Sequence, residues 1–183
     1  YGKDRWKSLM IVSNSIGQGE ILATPLQIAN LAAIVANRGY YVVPHLVKEI
    51  EGGEIDSIYR TKKITTIDPK HYAPIVEGMD LVMRAGTGWY SRIDSIAVCG
   101  KTGTAENPHG EDHSLFMAFA HKDDPKIAIC VVVENSGFGA TWAAPIASLM
   151  MEKYLKGYIA ARRLPMEEKM LNSNLLPKDV SSN

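Results

Sequence analysis

The sequence predicts an α+β fold: helices first, then three antiparallel strands in a row, then a closing helix. Three observations carry this. Apolar residues recur at helical spacing between Thr24 and Gly39 and again after Asp68. Three strand-like runs then succeed one another between Ile96 and Glu134 with only loops between them. No run alternates with a helix in the way a βαβ unit requires.

The chain has 183 residues, 46% hydrophobic, 22% charged and 8% aromatic, the composition of an ordinary globular domain. Its length suits one domain with a small appendage, here drawn as residues 1–157 and a helical extension with a flexible tail at 158–183. Twenty basic residues balance twenty acidic ones, so nothing favours nucleic acid as a partner. The longest apolar run, Ile127 to Val133, is far short of the ~20 residues of a membrane helix. The chain opens on Tyr1 rather than Met and is expected to be part of a longer protein.

The first twenty residues are mixed, with a short apolar run at Leu9 to Val12 and a glycine-rich turn at Ser15 to Glu20. Thr24-Pro25-Leu26-Gln27 is a helix start: Thr24 can cap, Pro25 suits the first turn, and Gln27 can close a capping box. Ile28, Leu31, Ala32 and Val35 form the expected stripe, with Asn37 and Gly39 as the stop. Tyr40 to Ile50 and the stretch up to Thr66 are expected to be extended about a turn at Gly52-Gly53. Asp68-Pro69 opens a second helical region. Pro74 should divide it into a short turn and a main helix with Ile75, Met79, Val82 and Met83 inward and Gly86 at its end. The three strands are expected at Ile96–Thr102, Leu115–Ala120 and Ile127–Glu134. The last of these is apolar on both faces, like an interior strand. Asn107 to Asp112 should be a mobile polar loop. The final helix, Thr141 to Lys156, places Ile146, Leu149, Met150 and Tyr154 on one side, and the chain from Leu164 is expected to fray.

Chemistry concentrates in Val98-Cys99-Gly100-Lys101-Thr102-Gly103-Thr104-Ala105-Glu106. Alternation along a strand puts Thr102 and Thr104 on one face. Gly103 between them leaves the backbone open to a ligand, and Lys101 adds an ammonium. Such a strip can pair with an extended peptide and hold its terminal carboxylate. A phosphate loop is excluded: Ser95 stands where that motif needs glycine, and an apolar strand cannot wrap a phosphate.

Lys101-Thr102-Gly103-Thr104 resembles the third motif of penicillin-binding proteins and serine β-lactamases. The Ser15-Ile16-Gly17-Gln18-Gly19-Glu20 turn followed by Thr24-Pro25-Leu26-Gln27 is similar to the stretch upstream of that motif in class B penicillin-binding proteins, with wording nearest the elongation type. The helix ending at Gly39, Val43-Pro44-His45, Gly86-Thr87-Gly88 and the final hairpin and helix also fit, so the resemblance spans about residues 8 to 156. It implies the C-terminal portion of the transpeptidase fold, an antiparallel sheet with packed helices. The implied activity is that of a peptidoglycan D,D-transpeptidase, in which a serine attacks the D-Ala-D-Ala bond of a stem peptide and an amine resolves the acyl-enzyme. β-Lactams acylate the same serine. The implied roles are a catalytic pair, Lys101 and the Thr104 backbone N–H as an oxyanion donor. Substrate contacts would come from Lys101, Thr102, Gly103 and Thr104. No cofactor or metal is implied. The implied place is the bacterial envelope, in a periplasmic domain tied to the inner membrane by an N-terminal segment, with the cell-elongation machinery as partner.

The chain departs from the family in two motifs. No serine is followed three residues later by lysine; Ser57 comes nearest, with Arg60 in that position. Serine-x-asparagine occurs only at Ser181-Ser182-Asn183, on the wrong side of Lys101. In the family both motifs precede the Gly17-Gln18-Gly19 region. The chain is therefore expected to hold the substrate-cradling strand without nucleophile or base, and to be inactive alone. The family sheet also has two N-terminal strands beside its last one. Their absence would leave an unpaired edge at Ile127–Glu134, and homodimers are expected through that edge or through the exposed helix-facing surface. The same sheet order separates Cys99 from Cys130 by two spacings of ~4.8 Å, so both thiols should be free. His109 and His113 have the spacing of a helical metal pair, but Pro108 and Gly110 oppose a helix, and a solvated loop is expected. Arg162-Arg163 should be a solvated helix face. A non-catalytic cell-wall peptide-binding module, or a β-lactamase or β-lactam-sensor relative, remains the alternative.

Overall fold

A computed structural model describes residues 7–19 and 21–176. Glu20 and the Ser181-Ser182-Asn183 triplet lie outside the described residues. Among the described residues, five α-helices, α1 (Ser8–Ser15), α2 (Pro25–Ala36), α3 (Tyr72–Ala85), α4 (Ala143–Lys156) and α5 (Leu164–Asn172), accompany five strands, β1 (Tyr40–Tyr41), β2 (Lys63–Ile64), β3 (Val98–Ala105), β4 (His113–Ala120) and β5 (Ile127–Val133). The last three strands form an antiparallel sheet in the order β3-β4-β5; β1 and β2 pair separately.

Local chemistry sets the starts and stops. At α2, Thr24 and Gln27 satisfy each other's backbone N–H groups in a full capping box, which meets the donors an α-helix leaves orphaned. At α3, Pro69–His71 makes a short 3₁₀ turn before Tyr72 begins the helix, so the division falls just ahead of Pro74, not at it. The extended stretch from Tyr40 shrinks to two residues of true strand at each end.

The sheet is buried on both faces, and this organises the core. Phe116, Ala118 and Ala120 of β4 point to one face, where Val98, Ile93, Ile96, Met83 and the α4 residues Ala143, Ala144, Ala147 and Met151 meet them. Phe119 points to the other, packed with Cys99, Val35 and Ala36 of α2, and Tyr72, Val76 and Met79 of α3. Both phenylalanines are fully buried. Each helix stripe falls largely where periodicity put it, with Ala32 and Val35 on α2 and Met79 and Met83 on α3 buried, and each misses at one residue. On α3, Val76 is inward and Ile75 is exposed; on α2, Leu31 is exposed and Ala36 takes its place. On α4, small residues face the sheet, while Met150 and Tyr154 point outward. A β-sheet admits helices closely where their residues are small, and the larger apolar side chains are left for the far side. There Ile146, Leu149, Met150 and Tyr154 meet Met170 and Leu171 of α5 around a cavity of 610 Å³.

β5 lies at the edge of the described sheet, the position expected for Ile127–Glu134 without the two further family strands. Four further expectations change. β3 runs from Val98 to Ala105, later than expected at both ends. The polar loop is tied down: Asn107 N–H donates to Asp112 Oδ1 (3.2 Å), its side-chain amide to Asn135 Oδ1 (2.6 Å), and Ser136 and Gly137 N–H to the Asp112 carbonyl. His113 belongs to β4, and its Nδ1 accepts from Asn135 N–H (3.0 Å).

The fourth concerns Arg163, which is buried rather than solvated. It is 5% exposed and donates to Glu152 Oε2 (2.8 Å) and Ser148 Oγ (2.5 Å), both fully buried on α4. Lys156 completes the carboxylate's partners at Glu152 Oε1 (3.2 Å) and reaches the Asp94 carbonyl (3.0 Å). Arg162 pairs with Asp94. This network fixes the start of α5 to α4, and the chain from Leu164 continues as a helix.

On the opposite side, Lys122 joins Glu77 (2.7 Å) and Asp80 (3.0 Å) of α3 to the β4–β5 turn. The hydrogen bonds its ammonium donates to Glu77 and then to Asp80 raise the lysine's pKa. Cys99 and Cys130 are free, with β4 between their strands. Burial, reinforced by Asp80, pushes the Cys99 thiol up to about 12, which makes it an inert core group.

Arg163→Met leaves the Glu152 carboxylate buried without its guanidinium and should destabilise the chain by ~3–5 kcal/mol. The Glu152→Leu/Arg163→Met pair should cost clearly less. Urea unfolding of both variants is the check; equal losses would mean the charges themselves contribute little.

Candidate peptide-binding edge on strand β3

The candidate residues lie on β3, whose far side from β4 is an edge of the described sheet. In an antiparallel strand a residue's N–H and C=O point the same way, and successive residues alternate. Two contacts reveal the parity here. Gln18 Nε2 donates to the Thr104 carbonyl (2.9 Å), and Lys101 Nζ donates to the Thr102 carbonyl (2.5 Å). Neither donor is on β4, so Thr102 and Thr104 turn their backbone groups to the open edge. Gly103 turns its own to β4, with the parity of Ala97, whose carbonyl accepts from Lys122 N–H just past β4. The Thr104 N–H thus faces outward.

The side chains follow the expected alternation. Thr102 and Thr104 share the face on which α4 packs; Lys101 and Gly103 share the other. Lys101 is exposed on the strand, neither in the interior nor on a helix. The Thr102 hydroxyl shares a hydrogen bond with Thr87 Oγ1 (2.7 Å). The Thr104 hydroxyl has no hydrogen-bond partner among the described residues. One edge therefore collects an ammonium, the Thr102 and Thr104 hydroxyls of the strand, the Thr87 hydroxyl of the loop after α3, and outward amides.

Two of these residues carry weight that sequence reasoning did not assign. Thr87 sits between Gly86 and Gly88, and a hydroxyl held by glycines after a helix end was the available signal. Gln18 sits between Gly17 (φ +82°) and Gly19 (φ +94°), a pair of left-handed turns that turn the chain back to β3. Behind Gln18, Leu22, Ile28, Ala105, His113, Leu115 and Glu134 are among the residues around a 460 Å³ cavity at the end of the strand.

Gly139 supports the strand from the α4 face. A Cβ there would collide with the Gly103 and Leu115 carbonyl oxygens and reach the Gly103 nitrogen at 3.0 Å. Ser114 locks that loop in place by donating to the Phe138 carbonyl and accepting from Ala143 N–H, both at 3.0 Å. Among the described residues no group of three or more histidine, cysteine, aspartate or glutamate side chains could hold a metal ion.

The fold and this edge define a class: an α+β domain that leaves one edge strand of a two-face-buried sheet open. The comparisons give the family. Residues 1–152 match the penicillin-binding protein transpeptidase domain, and the chain belongs to that family. It is 35% identical to the peptidoglycan D,D-transpeptidase MrdA of Haemophilus influenzae, over 98% of this chain and 30% of that protein. It is likewise 35% identical to the peptidoglycan D,D-transpeptidase PbpA of Mycolicibacterium smegmatis, over 73% of this chain and 29% of that one. The chain thus spans less than a third of the length of these curated relatives. Its structure resembles Pseudomonas aeruginosa PBP2 in complex with WCK 5153, with TM-score 0.72 and 32% identity over 86% of this chain and 35% of that one. It also resembles penicillin-binding protein A of M. tuberculosis in its imipenem acyl-enzyme complex, with TM-score 0.68 and 32% identity over 84% and 36%.

Gly139→Ala should destabilise the chain by ~1–3 kcal/mol through overpacking against β3. Gly78→Ala, mid-helix in α3 with open space at its Cβ, should instead stabilise by ~0.4–1 kcal/mol. Thermal unfolding of the two variants decides, and a stable Gly139→Ala protein would remove the claimed close approach.

Proposed function

We propose that this chain carries the substrate-cradling part of a peptidoglycan D,D-transpeptidase domain, in residues 1–157, with 158–183 as an extension. The observation that carries the reading is the parity of β3, which turns the Thr102 and Thr104 backbone groups outward beside Lys101. A stem peptide ending in D-Ala-D-Ala pairs along this edge. Its terminal carboxylate is taken by the Thr102 and Thr104 hydroxyls, with the Lys101 ammonium nearby, and Gly103 keeps the approach clear. When a serine elsewhere in the intact enzyme attacks the penultimate carbonyl, the Thr104 N–H stabilises the oxyanion. The serine proton passes to the departing D-alanine amine, and an amine from a second stem then displaces the serine as the crosslink forms. Removing one oxyanion donor of this kind costs ~10²–10³ in rate. β-Lactams, which acylate the relatives' structures, enter by the same edge.

The chain contains no serine with a lysine three residues on, so it holds the cradle without the nucleophile. The intact protein works in the bacterial envelope, with this domain in the periplasm and the cell-elongation machinery as partner. Supporting this are the transpeptidase names of the relatives.

A fluorescent penicillin should not label the chain covalently, while a D-Ala-D-Ala-ended peptide should bind weakly. Thr102→Val should weaken that binding by ~1.5–3 kcal/mol, the worth of a hydrogen bond to a charged group. Stoichiometric labelling, or peptide affinity indifferent to both Thr102→Val and Lys101→Ala, would overturn the proposal.

The β5 edge bears on assembly. Ile127–Val133 ends the described sheet, and nearby Leu26 and Leu31 of α2 are exposed. A second copy can pair there and cover that surface. Light scattering should show a dimer that Cys130→Pro, at a position whose N–H faces away from β4, dissociates; a monomer at high concentration would refute it.

A further inference from the structure

We propose that the Gln18 side-chain amide is a built-in stand-in for the substrate's own peptide bond: it holds the seat on β3 that the penultimate residue of an incoming peptide must take, and so sets the affinity of the edge. The inference rests on the reading of β3 above and concerns a residue to which that reading gives no part.

The seat follows from ladder geometry. With the terminal carboxylate at Thr102 and the penultimate carbonyl at the Thr104 N–H, the peptide runs antiparallel to β3, its last residue opposite Gly103. Residues facing each other in a hydrogen-bonded antiparallel pair exchange both bonds. The residue whose carbonyl meets the Thr104 N–H therefore directs its own N–H at the Thr104 carbonyl. That carbonyl is taken: Gln18 Nε2 donates to it at 2.9 Å. The Cδ, Oε1 and Nε2 atoms of Gln18 make the same planar amide as the peptide bond ahead of the penultimate residue, and they present the same N–H to the same oxygen.

The contact is fixed at its base and loose at its tip. Gly17 N–H donates to the Asn14 carbonyl (3.1 Å) and Gln18 N–H to the Ser13 carbonyl (3.0 Å). With Gly17 left-handed, this is a Schellman end to α1. The Gln18 backbone is thus tied to the helix, and only the side chain has to turn. At the tip, Nε2 makes one bond between neutral groups, and Oε1 has no hydrogen-bond partner among the described residues. Gln18 is half-buried, so water can take over its amide when it lets go. Release costs one neutral hydrogen bond, a small net loss.

A ligand that binds only the open form has its affinity reduced by the fraction that is open. For one neutral hydrogen bond the reduction is about three- to tenfold. A strand that brings nothing but backbone amides merely replaces the Gln18 bond with its own. A peptide that also brings a terminal carboxylate adds charge-assisted bonds from Lys101 and from the Thr102 and Thr104 hydroxyls, roughly twice as strong as neutral ones. Gln18 sets the threshold, and the carboxylate clears it. The same amide is on hand to retake the Thr104 carbonyl when a product leaves.

The test uses the full chain, a D-Ala-D-Ala-ended peptide and Gln18→Met, which keeps the length of the side chain but has no N–H. Calorimetry should show Gln18→Met binding the peptide about three- to tenfold more tightly than the unsubstituted chain, with Thr102→Val still weakening binding in either background. In the unsubstituted chain, the Gln18 side-chain N–H resonances, identified by their loss in Gln18→Met, should move to the positions of solvent-exposed amides as peptide is added. Affinity unchanged or lowered in Gln18→Met would overturn the proposal, because the amide would then share the carbonyl or support the strand. So would Gln18 resonances that stay in place at saturating peptide, a measurement that needs no variant to fold. If Thr102→Val weakens binding while Gln18→Met leaves it unchanged, only the role of Gln18 falls. If the peptide binds neither the unsubstituted chain nor Gln18→Met, the reading of β3 falls with it.

Discussion

The alternation of backbone direction along β3 is the constraint on which the site depends. A strand offers its amide groups alternately to its neighbour and to the outside, and a shift of one residue exchanges the two sets. Gly103 faces β4, so Thr102 and Thr104 must face out. Register is not left to chance. Phe116 opposite Thr102 fills one face, and Phe119 opposite Cys99 fills the other. A slip of one residue would send each ring into the wrong layer, at a cost of several kcal/mol for large core side chains. The packing of two phenylalanines thus fixes which amides are available at an edge they never touch.

A strand edge is also a hazard, because unpaired amides invite the wrong partner. The fold limits this at β3 with its own groups. Gln18 occupies the Thr104 carbonyl and Lys101 the Thr102 carbonyl, while the Gly17–Gly19 turn lies over the end of the strand. At β5 nothing comparable is present among the described residues, and its side chains are apolar throughout. The two edges differ in kind: one is partly occupied by polar side chains, the other is a bare apolar strand.

Much of this was legible in sequence, and what was missed has a common physical cause. The Thr24–Gln27 capping box, the three strands, the shared face of Thr102 and Thr104 and the separated thiols all depend on neighbours in the chain or on simple alternation. The helix faces depend on what a helix meets. Periodicity ranks Ile146, Met150 and Tyr154 above Ala143, Ala144 and Ala147 as core residues, but the sheet selects the small set, because it lets the helix approach closely. Arg163 is the same lesson in charge. Beside Arg162 it looks solvated, and its burial follows from Glu152, eleven residues away, which the sequence does not mark as a partner. Thr87 and Gln18 were visible as residues between glycines, yet their contacts with β3 cross 15 and 86 positions of chain.

The Lys101 contact with Thr102 also bears on how a peptide carboxylate could be received. The ammonium bonds to a neutral carbonyl at an exposed edge, an interaction that water replaces at little net cost. A carboxylate is a far better acceptor, since a hydrogen bond with both partners charged is roughly twice as strong as a neutral one. In the proposed reading, an arriving carboxylate therefore draws the ammonium off the Thr102 carbonyl and frees that carbonyl for the incoming peptide's N–H. One rotation of a lysine side chain would then exchange an internal bond for two bonds to substrate. The selectivity this gives is chemical: a peptide amidated at its end lacks the charge to move Lys101, and it finds the strand edge still occupied.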